Sequence, residues 1–123
     1  MPKKINTKLR LAQYDPWIIT TTVKVEETPY IIRLPTKETQ EEIIQRWGYK
    51  FDINKCVVVK LYDWDTEKTY DITINYDEVG YFLNLEWLLV VFDRQLKEGD
   101  KVGFFWDNLN PTLNFKVLQK KVA

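Results

Sequence analysis

The sequence has no histidine, one cysteine and four glycines among its 123 residues. Each scarcity removes a class of chemistry. Without imidazole there is no Ser-His-Asp triad, no histidine metal ligand and no histidine general base. With Cys56 alone, the chain forms neither an internal disulfide nor a clustered thiolate metal site, which suits a reducing compartment. Cys56 opens the strand-like run CVVVKLY, where a buried small hydrophobe is expected rather than a nucleophile. The glycines spell neither GxGxxG nor GxxxxGK, so no phosphate cradle of those types is present. An excess of charge is missing too: 18 Lys and Arg balance 18 Asp and Glu. That neutrality counts against a phosphate-rich partner, because domains that grip phosphate are more often basic. The longest apolar run, Trp87 to Phe92, is too short to span a bilayer, and the opening MPKKINTKLR lacks the apolar core of a signal peptide. The expectation is a soluble intracellular chain.

Aromatics are abundant instead, with five Trp, seven Tyr and six Phe. This composition predicts one packed domain and argues against disorder. Residues 1–12 carry Lys3, Lys4, Lys8 and Arg10 without an acid and read as a flexible basic arm ahead of a domain at 13–120. WIITTTVKV and YIIRL, bounded by prolines, read as two strands. Thr39 and Glu42 fit a capping box, placing Ile43, Ile44 and Trp47 on one helical face that Gly48 ends. CVVVKLYD and KTYDITINY read as a hairpin, the second strand burying Tyr70, Ile72, Ile74 and Tyr76. GYFL is a further strand. Asn84 precedes a second helix, apolar nearly all round and so expected to be plugged into the core. KVGFFWD and TLNFKVLQ complete a mainly β chain of about seven strands and two short helices.

Candidate chemistry is sparse. Asp63 and Asp65 in YDWDT suggest paired carboxylates, but two acids at a hairpin turn with no third ligand read more simply as solvated turn residues. Asp77 and Glu78 receive the same reading. Thr20, Thr21 and Thr22 lack an activating base and are explained by strand propensity. Gly99-Asp100 reads as a corner between the second helix and the last hairpin. Nothing here supports an enzyme, a cofactor, a metal or a small-molecule substrate. Trp87, Phe104, Phe105, Trp106 and Phe115 have few cations near them and read mostly as core, not as a stacking platform.

The succession of landmarks resembles the plant B3 DNA-binding domain, in its divergent branch of unknown function. The residues that carry the resemblance are Asp15-Pro16-Trp17, Arg33-Leu34-Pro35, VKLYDWDT, GYFL followed by Trp87, LKEGDKVGFFWD and NFKVL. The resemblance implies a seven-stranded open pseudo-barrel with two short helices. It also implies a nuclear transcription regulator that docks two arms into the major groove of double-stranded DNA. Carried onto this sequence, the first arm offers Thr20, Thr21, Thr22, Lys24 and Arg33, and the second offers Asn75, Tyr76, Tyr81 and Asn84. The arms depart from the family's basic pattern. Lys24 and Arg33 are offset by Glu26 and Glu27, and the second arm holds Asp77, Glu78 and Glu86 with no base. Such arms neutralise little phosphate and lack free Arg and Lys donors for guanine. The alternative reading is a B3-like scaffold turned to other regulatory proteins, with DNA binding weak or lost.

Overall fold

The computed structural model describes residues 15–25, 30–47 and 56–122. Seven strands form one sheet: β1 (Ile19–Thr22), β2 (Ile32–Arg33), β3 (Val57–Asp63), β4 (Thr69–Tyr76), β5 (Tyr81–Leu85), β6 (Lys101–Asp107) and β7 (Thr112–Gln119). Their spatial order is β1-β6-β7-β3-β4-β5-β2. All pairings are antiparallel except β3 with β7, so the nearly closed sheet is mixed. Two short helices complete it. Helix α1 runs through Thr36–Thr39, a wider π turn at Gln40–Ile44, and Gln45–Trp47; helix α2 is Trp87–Arg94. This is the open pseudo-barrel that the resemblance implied.

Alternation along the strands decides what is inside. Tyr70, Ile72 and Ile74 of β4 face Leu61 and Val59 of β3 and Leu83 of β5, all buried. Tyr76, expected inside, is partly exposed at the strand end. Trp87, Phe104 and Phe115 lie against one another with ring centroids 5.4 to 6.0 Å apart, and each is essentially inaccessible. Burying three such rings supplies several kcal/mol, about 1.5–3 for each large apolar side chain.

The helices differ from the expectation in instructive ways. Helix α1 starts four residues early, after Pro35, whose fixed φ suits a helix entrance. Thr39 therefore lies within the helix, is buried, and makes no capping hydrogen bond. Ile43 and Ile44 do face the core, and Trp47 packs edge-on against Trp106 at 5.2 Å. Gly48 lies outside the described residues, as do residues 1–12. Asn84 belongs to β5, not to the approach of α2. Helix α2 buries only Trp87 and Val90 completely; Leu89 and Phe92 are 49% and 70% exposed, so it is not plugged all round. A continuous apolar run gives no period from which the inner face can be read.

Two further expectations are overturned. Cys56 is exposed: it lies just ahead of β3, in step with the outward Val58 and Lys60 and not with the buried Val59 and Leu61. Asp63 is fully buried, not solvated. Arg94 donates to Asp63 at 2.5 Å and to Asp65 at 2.9 Å, and Lys116 donates to Asp65 at 2.7 Å. This cluster fastens α2 to the β3–β4 turn and to β7. Gly99-Asp100 is a corner as expected. Gly99 has φ +93°, and the buried Asp100 carboxylate accepts from the Lys97 and Lys121 backbone N–H groups and from the Lys120 ammonium. The corner also receives the end of β1, through hydrogen bonds from Val23 N to Asp100 O and from Gly99 N to Val23 O.

Candidate functional site

Strand β2 is short, but its register is set by β5, with Ile32 opposite Leu83 and Arg33 opposite Phe82. Phe82 in turn faces Asn75 on β4. Directly opposed residues share a face, so Arg33, Phe82 and Asn75 form one row across the outer side of the sheet. Asn84 and Thr73 form the next row on that side. The Arg33 guanidinium lies over the Phe82 ring, 4.8 Å from its centroid.

At the end of this row the β4–β5 turn supplies Asp77. Arg33 donates to its two carboxylate oxygens at 2.6 and 2.7 Å, a fork-to-fork ion pair. Asp77 also accepts the backbone N–H of Val79 at 2.9 Å and of Gly80 at 3.1 Å. Arg33, against a smaller effect of burial and with help from these N–H groups, holds the Asp77 carboxyl far below its ordinary range. The same bond raises Arg33. Gly80 permits the turn with φ +142°, and a Cβ there would meet Thr36 Oγ1 at 2.8 Å. Of the three acids in this arm, Asp77 is therefore matched to Arg33. Glu86 accepts the Asp71 backbone N–H at 2.6 Å, and Glu78 is exposed in the turn.

The other expected residues divide between two places. Asn75 donates to Thr73 Oγ1 at 2.9 Å and keeps to the outer face, where Asn84 is exposed. Tyr76 and Tyr81 oppose each other on the other face, ring centroids 4.7 Å apart. Tyr81 is buried and its hydroxyl donates to Gln40 on α1. Thr20, Thr21 and Thr22 pair with Gly103, Val102 and Lys101 of β6 at the other end of the strand order. Lys24 follows them and is exposed, whereas 26–29 lie outside the described residues. Arg33, Asn75 and Asn84 thus gather on one surface, while the threonines and Lys24 belong to the β1 edge. Charge counting along each arm missed the Arg33–Asp77 pair; opposite charges on separate arms were the signal that offered it. Among the described residues no three Cys, Asp or Glu side chains are grouped to hold a metal ion.

Comparison with known proteins decides the family. The family described as "B3 domain-containing protein At5g26805, C-terminal domain" matches residues 17–118. The chain belongs to the B3 domain family. An Arabidopsis thaliana relative, "B3 domain-containing protein At1g10455", is 27% identical over 122 residues, covering 93% of this chain and 80% of that protein. A second Arabidopsis thaliana protein, "Putative B3 domain-containing protein At1g78640", is 33% identical over 63 residues, half of this B3 chain and 13% of that protein. Two solved structures share the fold. The hypothetical Arabidopsis thaliana protein At1g16640.1 has a TM-score of 0.60 at 16% identity, covering 85% of this chain and 91% of its own. The Arabidopsis FUS3-DNA complex has a TM-score of 0.64 at 11% identity, covering 85% and 98%.

Proposed function

We propose that this B3 domain binds double-stranded DNA in the nucleus as a sequence-specific transcription regulator, without catalysis. The observation that carries the reading is the likeness of its barrel, at TM-score 0.64, to a B3 domain solved with DNA. In this reading the surface formed by Arg33, Asn75 and Asn84, with the β4–β5 turn, approaches base edges in the major groove. Amide side chains suit that task, since Asn offers a donor and an acceptor to adenine. Thr20, Thr21, Thr22 and Lys24 contact the backbone, where hydroxyls and ammonium groups position a protein without reading sequence. Tyr76 and Tyr81 support the turn from the opposite face. Because Arg33 is occupied by Asp77, binding is expected to be weak.

The test is a fluorescence-anisotropy titration against a random duplex pool at several salt concentrations. Binding that weakens steeply as salt rises supports the reading, and no binding at low salt overturns it. The second reading, a B3 scaffold for other regulatory proteins, is favoured by one observation: the Arg33–Asp77 pair leaves the turn with Glu78 as its exposed charge. Failure to bind DNA at low salt is the result expected from that reading.

A further inference from the structure

Most cations among the described residues are already matched. Arg33 pairs with Asp77, Arg46 with Glu42, Lys60 with Asp71, Lys68 with Asp93, Arg94 with Asp63 and Asp65, Lys116 with Asp65, and Lys97 and Lys120 with Asp100. Among the described residues, Lys24, Lys37, Lys101 and Lys121 have no carboxylate partner, and three of these four meet at the Gly99-Asp100 corner. Lys101 opens β6 opposite Thr22 of β1 and Gln119 of β7, and all three are exposed. Lys24 follows Val23, which is hydrogen-bonded to the corner through both its N–H and its carbonyl. Lys121 donates its backbone N–H to Asp100 at 2.7 Å, and its side chain crosses Gly99, so that a Cβ there would meet Lys121 Cδ at 2.3 Å.

The corner holds these lysines in place without using their charge. Lys120 does the structural work: its ammonium reaches Asp100 at 2.8 Å and the Gln95 carbonyl, at the end of α2, at 2.9 Å. Asp100 is thereby satisfied by Lys120 and backbone donors. Lys24, Lys101 and Lys121 add three cations across adjacent chain ends, with Glu98 nearby in the turn. Three neighbouring strands span about 10 Å. Over that distance a DNA duplex presents about six phosphate charges, one per about 1.7 Å of axis.

We propose that the corner formed by Lys24, Lys101 and Lys121 is a phosphate-contacting surface for duplex DNA. It supplies the charge that the arm surface lacks once Asp77 has taken Arg33. The inference rests on the DNA-binding reading and adds to it a location outside the second arm and the paired row. Ammonium groups on flexible stems at adjacent chain ends suit a polyanion and carry no sequence information.

The test compares the wild type with Lys101→Gln/Lys121→Gln in the same duplex titration. The double variant should show a salt slope shallower by about 1.8, at about 0.9 for each phosphate it no longer neutralises, so that its affinity changes about tenfold less between 50 and 200 mM salt. Lys101→Arg/Lys121→Arg should restore the wild-type slope, and Lys37→Gln should leave it unchanged. A wild-type protein that binds duplex while the Gln variant keeps its slope overturns this inference and leaves the DNA-binding reading intact. A wild-type protein that binds no duplex at low salt overturns the reading, and the inference with it. A Gln variant whose loss the Arg variant fails to rescue also overturns it, because the effect then follows from the fold and not from charge.

Discussion

Arg94 and Arg33 make the same kind of contact at very different depths. Each lies over an aromatic ring, Arg94 on Phe115 at 5.8 Å and Arg33 on Phe82 at 4.8 Å, and each engages aspartate through its fork. Arg94 is mostly covered and its partner Asp63 is inaccessible, whereas Arg33 and Asp77 are each more than a third exposed. The first pair is part of the wall: burial pulls Arg94 down, but the two carboxylates outweigh it and its pKa is raised. The second sits in water on the surface proposed to meet DNA. A buried pair is costly to break because one charge is stranded, while an exposed pair exchanges partners at little cost. The same chemistry is therefore structural in one place and exchangeable in the other.

The sharpest way to break this comparison is Asp63→Ala. It should cost about 1–3 kcal/mol in urea unfolding, because Arg94 keeps Asp65 but one arm of its guanidinium and the Asp65 backbone N–H lose a buried acceptor. A loss below about 1 kcal/mol would show that the buried cluster is no more structural than a surface pair. The exposed pair is probed by Asp77→Asn. This change should barely move the unfolding midpoint, yet release Arg33 to phosphate and steepen the salt slope of duplex binding by about 0.9. If duplex binding is unchanged, the Arg33–Asp77 contact does not limit it.

Asp100 lies between these extremes. Burial raises its carboxyl, but Lys120 and the backbone N–H groups of Lys121 and Lys97 outweigh that effect and bring it from 3.8 to about 2. Because the folded value is the lower one, the stabilisation is complete above about pH 4 and is lost as pH falls through about 2. Asp100→Asn should be less stable than wild type at pH 6, with the gap closing toward pH 2 in acid unfolding curves. A gap independent of pH would assign the loss to packing. Lys24→Ala is the smallest perturbation. It should leave stability unchanged and make the salt slope shallower by about 0.9, and an unchanged slope would remove Lys24 from the binding surface.

Much of this was legible in the residues. β6 and β7 carry their inward residues plainly, with Val102, Phe104, Leu113 and Phe115 buried at alternate positions, although Gly103 and Asn114 between them are covered as well. The Gly99-Asp100 corner was equally readable, because a positive φ favours glycine there and a short acid can close the turn on backbone donors. The inner face of α2 was not readable, since the run WLLVVF offers six apolar residues to a helix that hides only one side. Nor was the burial of Asp63. Its partner Arg94 is 31 residues away in sequence, and local pattern shows only two acids at a turn.

By itself the sequence determined which chemistries this chain cannot perform, where its strands alternate, and that its two expected arms are poor in net positive charge. Those properties belong to residue types and to local spacing. Only the tertiary structure decided how each charge is used. It joined Arg33 to Asp77 across 44 residues, sank Asp63 beneath Arg94, and left Lys24, Lys101 and Lys121 unmatched around one corner. The physical reason is that a charge acts through its distance to other charges and to water, and strand pairing sets both.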